Sequence, residues 1–332
     1  MRLLNTKTLE LEPFSDTRAS AVSYAILSHT WDDDEVTFDD MRDPPAAAAK
    51  AGFAKISASC EKAIELGLNY VWSDTCCIDK SSSAELSEAI NSMFRWYKEA
   101  EVCFAFLSDL PAGSDVFADP LSFTACKWFS RGWTLQELIA PMNLTFFDGE
   151  WNAVGTKIEL QEAVTLATRI PQGILDGSIS LSSIPLAARM SWAANRDTTR
   201  PEDKAYCLLG IFGVNMSMIY GEGPKAFQRL QEEILRKTTD LSIFAWKATE
   251  RLVGFDRFRG ILAQSPSEFA DCGDIELLNS QFRFRDEISL TNKGVKISMP
   301  LHNFGQGRFL MNLDCQRPVK NRPPTSVGIY LK

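Results

Sequence analysis

The chain has 332 residues, 45% hydrophobic and 23% charged, the balance of a folded globular protein, and its length favours two domains or a domain with extensions over one compact core. A formal net charge of −8 argues against a protein that wraps nucleic acid by neutralising phosphates, but leaves room for a local basic pocket for a small anion. No apolar run reaches the roughly 18–20 residues of a membrane span, and the first ten residues lack the apolar stretch of a secretion signal. The eight cysteines are scattered, without framework spacing, and read as reduced thiols of a cytoplasmic protein. With no Cys-x-x-Cys pair and only two histidines, no structural zinc site is expected.

Residues 24–28 read as a short buried strand that runs into a polar, acidic loop, His29 to Glu35. Open α/β sheets place ligands at such carboxyl ends. Phe53, Ile56, Cys60, Ala63 and Ile64 follow helical spacing, and Gly67 stands where a C-terminal cap belongs. Residues 68–73 form a second strand that empties into Asp74-Thr-Cys-Cys-Ile-Asp79-Lys80. Ser82 with Glu85 has capping-box spacing, and Leu86, Ala89, Ile90, Met93, Phe94 and Tyr97 make the stripe of the helix that follows. Residues 102–107 are continuously apolar, as in a strand covered on both faces. After an irregular bridge over 117–129 comes the segment 130–141, then a strand at 144–147. Strand and helix alternate throughout, which predicts a parallel, flavodoxin-like sheet of four or so strands with right-handed crossovers.

Further helices are expected over 157–169, 184–194, 204–212 and 226–237, with a loop over 171–183 and a turn over 220–225. After residue 239 the texture becomes β-rich, with short runs at 241–246, 260–263, 294–299, 308–313 and 327–331 between turn residues. The expected division is therefore an α/β domain over 1–175, a helical extension over 176–240 and a β-rich region over 241–332. The last run stops inside a strand pattern, so this region is expected to be truncated.

The segment 130–141, Ser-Arg-Gly-Trp-Thr-Leu-Gln-Glu-Leu-Ile-Ala-Pro, carries a single carboxylate, Glu137, among mostly apolar residues. Gly132 permits a tight turn, and Pro141 ends the helix at or before Ala140. Trp133 and Glu137 are four apart and share one helical face. Taken alone, Glu137 reads as a surface acid on a short amphipathic helix.

Three blocks occur in order: Tyr24-Ala-Ile-Leu-Ser-His-Thr-Trp31, Tyr70-Val-Trp-Ser-Asp-Thr-Cys-Cys-Ile-Asp-Lys80 and Ser130 to Pro141. Together they resemble the signature of the fungal heterokaryon-incompatibility (HET) domain. The later segments Arg189-Met-Ser-Trp-Ala, Arg200 to Phe212 and Tyr220-Gly-Glu-Gly resemble the tail that often follows that domain. HET domains are distant relatives of TIR domains, which carry a catalytic glutamate in a Trp-Cys-x-x-Glu-Leu segment. Trp133-Thr-Leu-Gln-Glu137-Leu138 has the same Trp-to-Glu spacing, with Thr134 in place of the Cys. The resemblance implies NAD⁺ glycohydrolysis, innate-immune signalling and programmed cell death. It also implies a homo-oligomer that completes its pockets between subunits, and an upstream receptor or trigger protein. No membrane or nucleic-acid partner is implied.

NAD⁺ would be a substrate, and no cofactor is expected, since no Gly-x-Gly-x-x-Gly loop is present. Nicotinamide leaves as a neutral group, so one carboxylate can serve where ordinary glycosidases use two. Glu137 is the candidate catalytic residue. Trp31, Trp72 or Trp133 would stack on a ring, while Ser28, His29, Asp74 and Asp79 would orient ribose or phosphate. Lys80 and Arg131 would supply positive charge. Each has a structural reading too: His29 as a backbone partner, the tryptophans as core, and Asp74 and Asp79 as turn formers. Two alternatives stand beside the NADase. One is a non-enzymatic adaptor associating through the acidic loop Asp32 to Glu35. The other is a hydrolase using Cys76 or Cys77 with His29 and Asp74.

Overall fold

A computed structural model describes residues 1–15, 22–248, 259–278, 287–320 and 322–331. The chain divides into two compact units, Met1–Ile179 and Ser180–Lys332.

Unit one is built on a seven-stranded sheet: β1 (Arg2–Asn5), β2 (Leu11–Pro13), β3 (Ala25–His29), β4 (Tyr70–Trp72), β5 (Val102–Phe106), β6 (Leu144–Phe147) and β7 (Ala153–Thr156). Their order is β2-β1-β4-β3-β5-β6-β7. The inner four pair in parallel, with β1–β2 and β7 added antiparallel at the two edges. In chain order the parallel strands lie second, first, third, fourth, the flavodoxin-like arrangement expected from sequence. The chain passes from β3 outward to β4, then back across to β5. The topological switch therefore falls at the carboxyl ends of β3 and β5, where ligands of such sheets bind. Both strands are buried at every residue, and His29 is in register with Phe106.

The helices of this unit are α1 (Pro44–Ala48), α2 (Phe53–Glu65), α3 (Ser83–Glu99), α4 (Pro120–Thr124), α5 (Lys127–Ser130), α6 (Thr134–Ile139), α7 (Gln161–Thr168) and α8 (Gln172–Leu175). Gly67, at φ +75°, takes the left-handed turn after α2 that a side chain would resist. Ser82 accepts the Glu85 amide at the start of α3, half of the expected capping box. Glu85 turns instead to the Asp79 amide, at 2.8 Å, and to Arg2. Three strands escaped the sequence reading. In β1 only Leu3 and Leu4 are apolar, too short a run to signal a strand, and β2 and β7 are edge strands held by pairing. The expected helix 157–169 begins only at Gln161, after a turn.

Unit two begins with α9 (Leu186–Ser191), α10 (Asp203–Tyr206), α11 (Leu209–Phe212) and α12 (Lys225–Leu235). It continues with β8 (Glu276–Leu277), β9 (Ser289–Thr291), β10 (Gly294–Lys296), β11 (Leu301–Asn303), β12 (Phe309–Val319) and β13 (Arg322–Leu331). β11, β12 and β13 form one sheet with β8 against β12, and β9–β10 is a separate hairpin. Two expected strands are absent. Leu241–Phe244 is a 3-10 turn, because the Asp240 carboxylate caps the Ser242 amide at 2.9 Å and bends the chain. Ala263 forms no ladder, because the buried Gln231 side chain takes both its amide (2.9 Å) and its carbonyl (2.8 Å).

The motif Arg200 to Tyr206 locks onto Tyr220-Gly-Glu-Gly. Glu202 accepts the Gly221 and Gly223 amides at 2.8 and 2.9 Å, which holds its carboxyl below the usual range. Tyr220 donates to Asp203 and Tyr206 donates to Glu222, each at 3.0 Å, and Arg229 clamps Glu222. These residues are spent on each other, which explains the motif as a fold-forming interlock.

Candidate functional site

Ser28 and His29 end β3, and successive strand residues face opposite sides. They organise two different clusters.

On Ser28's side sits α6. The residues Thr134 to Leu138 are all buried, so the short helix is a core element rather than the amphipathic surface turn its sequence suggests. It packs against β3 and α3, and this brings Glu137 onto the strand. Ser28 Oγ donates to Glu137 Oε2 at 2.5 Å, and Trp128 Nε1 from α5 donates to Ser28 Oγ at 2.8 Å. Tyr97 from α3 donates to the Leu27 carbonyl at 3.0 Å and also faces Glu137. Burial first, and the Glu137 charge second, push the Tyr97 phenol well above its ordinary value. The C-terminal end of α6 rests on Lys157, which is 2% exposed and donates to the carbonyls of Pro141 (2.5 Å) and Leu138 (3.4 Å). Burial of its ammonium pulls the Lys157 pKa down to about 8.

On the other side, His29 lies buried between two acids. Nε2 is 3.5 Å from Asp74 Oδ1 and Nδ1 is 3.8 Å from Glu35 Oε1, and neither nitrogen has a hydrogen-bond partner among the described residues. Asp74 accepts the Trp31 indole N–H at 3.0 Å. Burial would raise the Asp74 carboxyl, but the His29 contact, the Lys80 charge and the Trp31 bond together hold it low. Trp31 is exposed, and Lys80 Nζ lies 3.5 Å from its ring centroid. The loop after β3 is tied down by buried Lys55, which pairs with Glu35, with Asp32 at 2.9 Å and with the Thr30 carbonyl at 3.3 Å. A Cβ at Gly52 would stand 2.9 Å from the Asp34 carbonyl oxygen and from Glu35 Cα, backbone atoms that cannot move aside, so only glycine fits there. The acidic loop is thus partly inward-facing, with Glu35 in the interior.

Of the ten candidate residues, Ser28 meets Glu137, while His29, Trp31, Asp74 and Lys80 form the second cluster. Asp79 takes its structural reading: its carboxylate accepts the Ser81 amide at 3.0 Å and so forms the turn before α3. Arg131 and Trp133 flank the start of α6, and the Arg131 carbonyl accepts from Thr134 at 3.0 Å. Trp72 is a core residue, edge-on to Trp96 and Tyr97, and is no stacking platform. Sequence reasoning missed Trp128, Lys55 and Lys157. Lys55 was findable, since it shares the buried face of α2 with Ile56, Ser59 and Cys60.

The cysteine-hydrolase reading does not hold. Cys76 and Cys77 are buried against each other, their sulfurs 4.0 Å apart, and neither imidazole nitrogen of His29 has a thiol partner. The Cys76 thiol is pushed well above its ordinary value by its Cys77 contact and by burial, the opposite of an activated nucleophile.

Residues 24–119 match the family described as Heterokaryon incompatibility protein (HET), and residues 225–257 match a domain of unknown function, DUF8212. The HET match ends before α6 and Glu137. The chain is 46% identical over 243 residues to the Vegetative incompatibility protein HET-E-1 of Podospora anserina. That alignment covers 70% of this chain and 18% of the relative, so the chain spans only a small part of the relative's length. No solved structure matches. The two HET blocks at β3 and β4 supply the Ser28 and Asp74 corners of the site, and with 46% identity to an incompatibility protein they identify the chain as a HET-domain protein.

Proposed function

We propose that this chain acts in heterokaryon incompatibility, and that its HET domain is a TIR-like NAD⁺ glycohydrolase with Glu137 as the catalytic carboxylate. The name of the HET-E-1 relative supports the first half. The second rests on one observation: Glu137 is delivered onto Ser28, 109 residues away, beside the topological switch of a parallel sheet. Water adds to the ribose carbon as the bond to nicotinamide breaks, giving ADP-ribose, nicotinamide and a proton. The departing ring takes the bonding pair and becomes neutral, so no acid is required. The role left for the protein is to stabilise an oxocarbenium-like ribose, and a fixed carboxylate in a water-poor site does that electrostatically. Assembly into a homo-oligomer under an upstream trigger would open the site.

Nicotinamide release from NAD⁺ by the wild-type chain and by Glu137→Gln tests this at several protein concentrations. Release that rises steeply with concentration and falls more than about 100-fold in the variant supports the reading. Equal release from both proteins removes Glu137. One observation favours a second reading, a non-enzymatic signalling module: Glu137 is only 5% exposed. Absence of release from assembled protein, with incompatibility activity retained by Glu137→Gln, selects that module.

A further inference from the structure

We propose that Trp128 is a positioning residue, which acts through the Ser28 hydroxyl to fix the carboxylate of Glu137. This rests on Glu137 being the catalytic carboxylate. The direction of the relay follows from what each group can do. An indole N–H only donates, so at 2.8 Å the Ser28 oxygen must accept from it. An ionised carboxylate only accepts, so the Ser28 proton must point to Glu137. A serine hydroxyl is normally a free rotor. Here one lone pair is taken by Trp128 and the proton is committed, so the rotor has a single satisfied setting.

The indole itself is fixed by packing. Trp128 is fully buried, edge-on to Phe129 at 5.1 Å and to Phe146 of β6 at 5.6 Å. The Thr134 hydroxyl donates to the Trp128 carbonyl at 2.5 Å, which joins α5 to the first turn of α6. The geometry of α5 is thereby transmitted to Glu137 by two routes, one through the backbone of α6 and one through Ser28. Donors in series polarise one another, so the indole also strengthens the hydroxyl bond onto the acid.

The test combines kinetics with the indole proton resonance of Trp128 in the full chain. Trp128→Phe and Ser28→Ala are each expected to lower kcat by about tenfold, the weight of one charge-assisted hydrogen bond, with KM within about twofold. Because both act through one hydroxyl, the double variant should be no slower than Ser28→Ala alone. Ser28→Thr, which keeps the hydroxyl, should retain wild-type kcat. The Trp128 resonance should move in Ser28→Ala and in Glu137→Gln, and stay in place in Ser28→Thr. A double variant slowed by the product of the two single effects would mean that Trp128→Phe merely loosens the core, and would overturn the proposal. So would a Trp128 resonance unmoved by Ser28→Ala, a variant that leaves the aromatic core intact. Should the wild type not cleave NAD⁺ at all, the NADase reading falls on the kinetics, and the resonances still decide whether the relay exists.

Discussion

Lys157→Met isolates what it takes to support the helix of Glu137. Lys157 reaches two backbone carbonyls rather than a carboxylate, and burial lowers its pKa from 10.5 to about 8. The unfolded chain therefore binds more protons than the folded one between those values, and stability must rise with pH across the window. Integrating the two titrations gives a gain of about 2–3 kcal/mol between pH 7 and pH 10, nearly all of it above pH 8. Below pH 8 the charged ammonium is present in both states and the contribution is flat. Tyr24, whose phenol is strongly raised by burial, loses stability at the alkaline end, so wild type and Lys157→Met must be compared at each pH. Denaturant unfolding followed by tryptophan fluorescence should show the wild type gaining on the variant by that amount as pH rises. Parallel curves for the two proteins would refute the reasoning and mean that Lys157 keeps an ordinary pKa.

Lys55→Met strands the buried Glu35 carboxylate, and denaturant unfolding should show a loss of about 3–5 kcal/mol. Glu202→Gln replaces charge-assisted bonds to Gly221 and Gly223 with neutral ones and should cost about 1–2 kcal/mol by the same assay. Since the Glu202 carboxyl is held low by those amides, its stabilisation is present above the ordinary carboxylate pKa and is lost as pH falls through the folded value; the variant should lack that acid-side decline. All eight cysteines are buried, so a thiol reagent should label none of them at pH 7.5 until denaturant is added.

The parallel sheet was legible because each of its strands is a short apolar run ended by a polar loop. The Gly67 and Ser82 caps fix helix ends by local chemistry alone. The strand β1 was not legible, since it owes its place to the pairing of Leu4 with Val71 across the sheet, a non-local event. Residues 241–246 misled because their apolar run carries no period to oppose the Asp240 cap. Within the site, Ser28 and Glu137 were both named, but a sequence shows spacing along one element only. It set Trp133 beside Glu137, on a shared helical face, while the indole that reaches the acid through Ser28 belongs to the preceding helix.

The interlocked motif of unit two and the strand ends of unit one treat buried charge differently, and that bears on where chemistry resides. In unit two Glu202 is satisfied by two amides, and Glu222 by Tyr206 and Arg229, an arrangement that needs no further partner. In unit one the carboxyl ends of the parallel strands hold a histidine whose nitrogens, though they face Asp74 and Glu35, have no hydrogen-bond partner among the described residues, and a Glu35 oxygen in the same state. Each of these is costly in a stable core, since an unmet buried polar group loses about 1–3 kcal/mol. Sequences that are locally consistent elsewhere concentrate such violations at functional sites. The cluster therefore favours the end of β3 and β5, rather than the interlocked motif of unit two, as the place where this protein does its work.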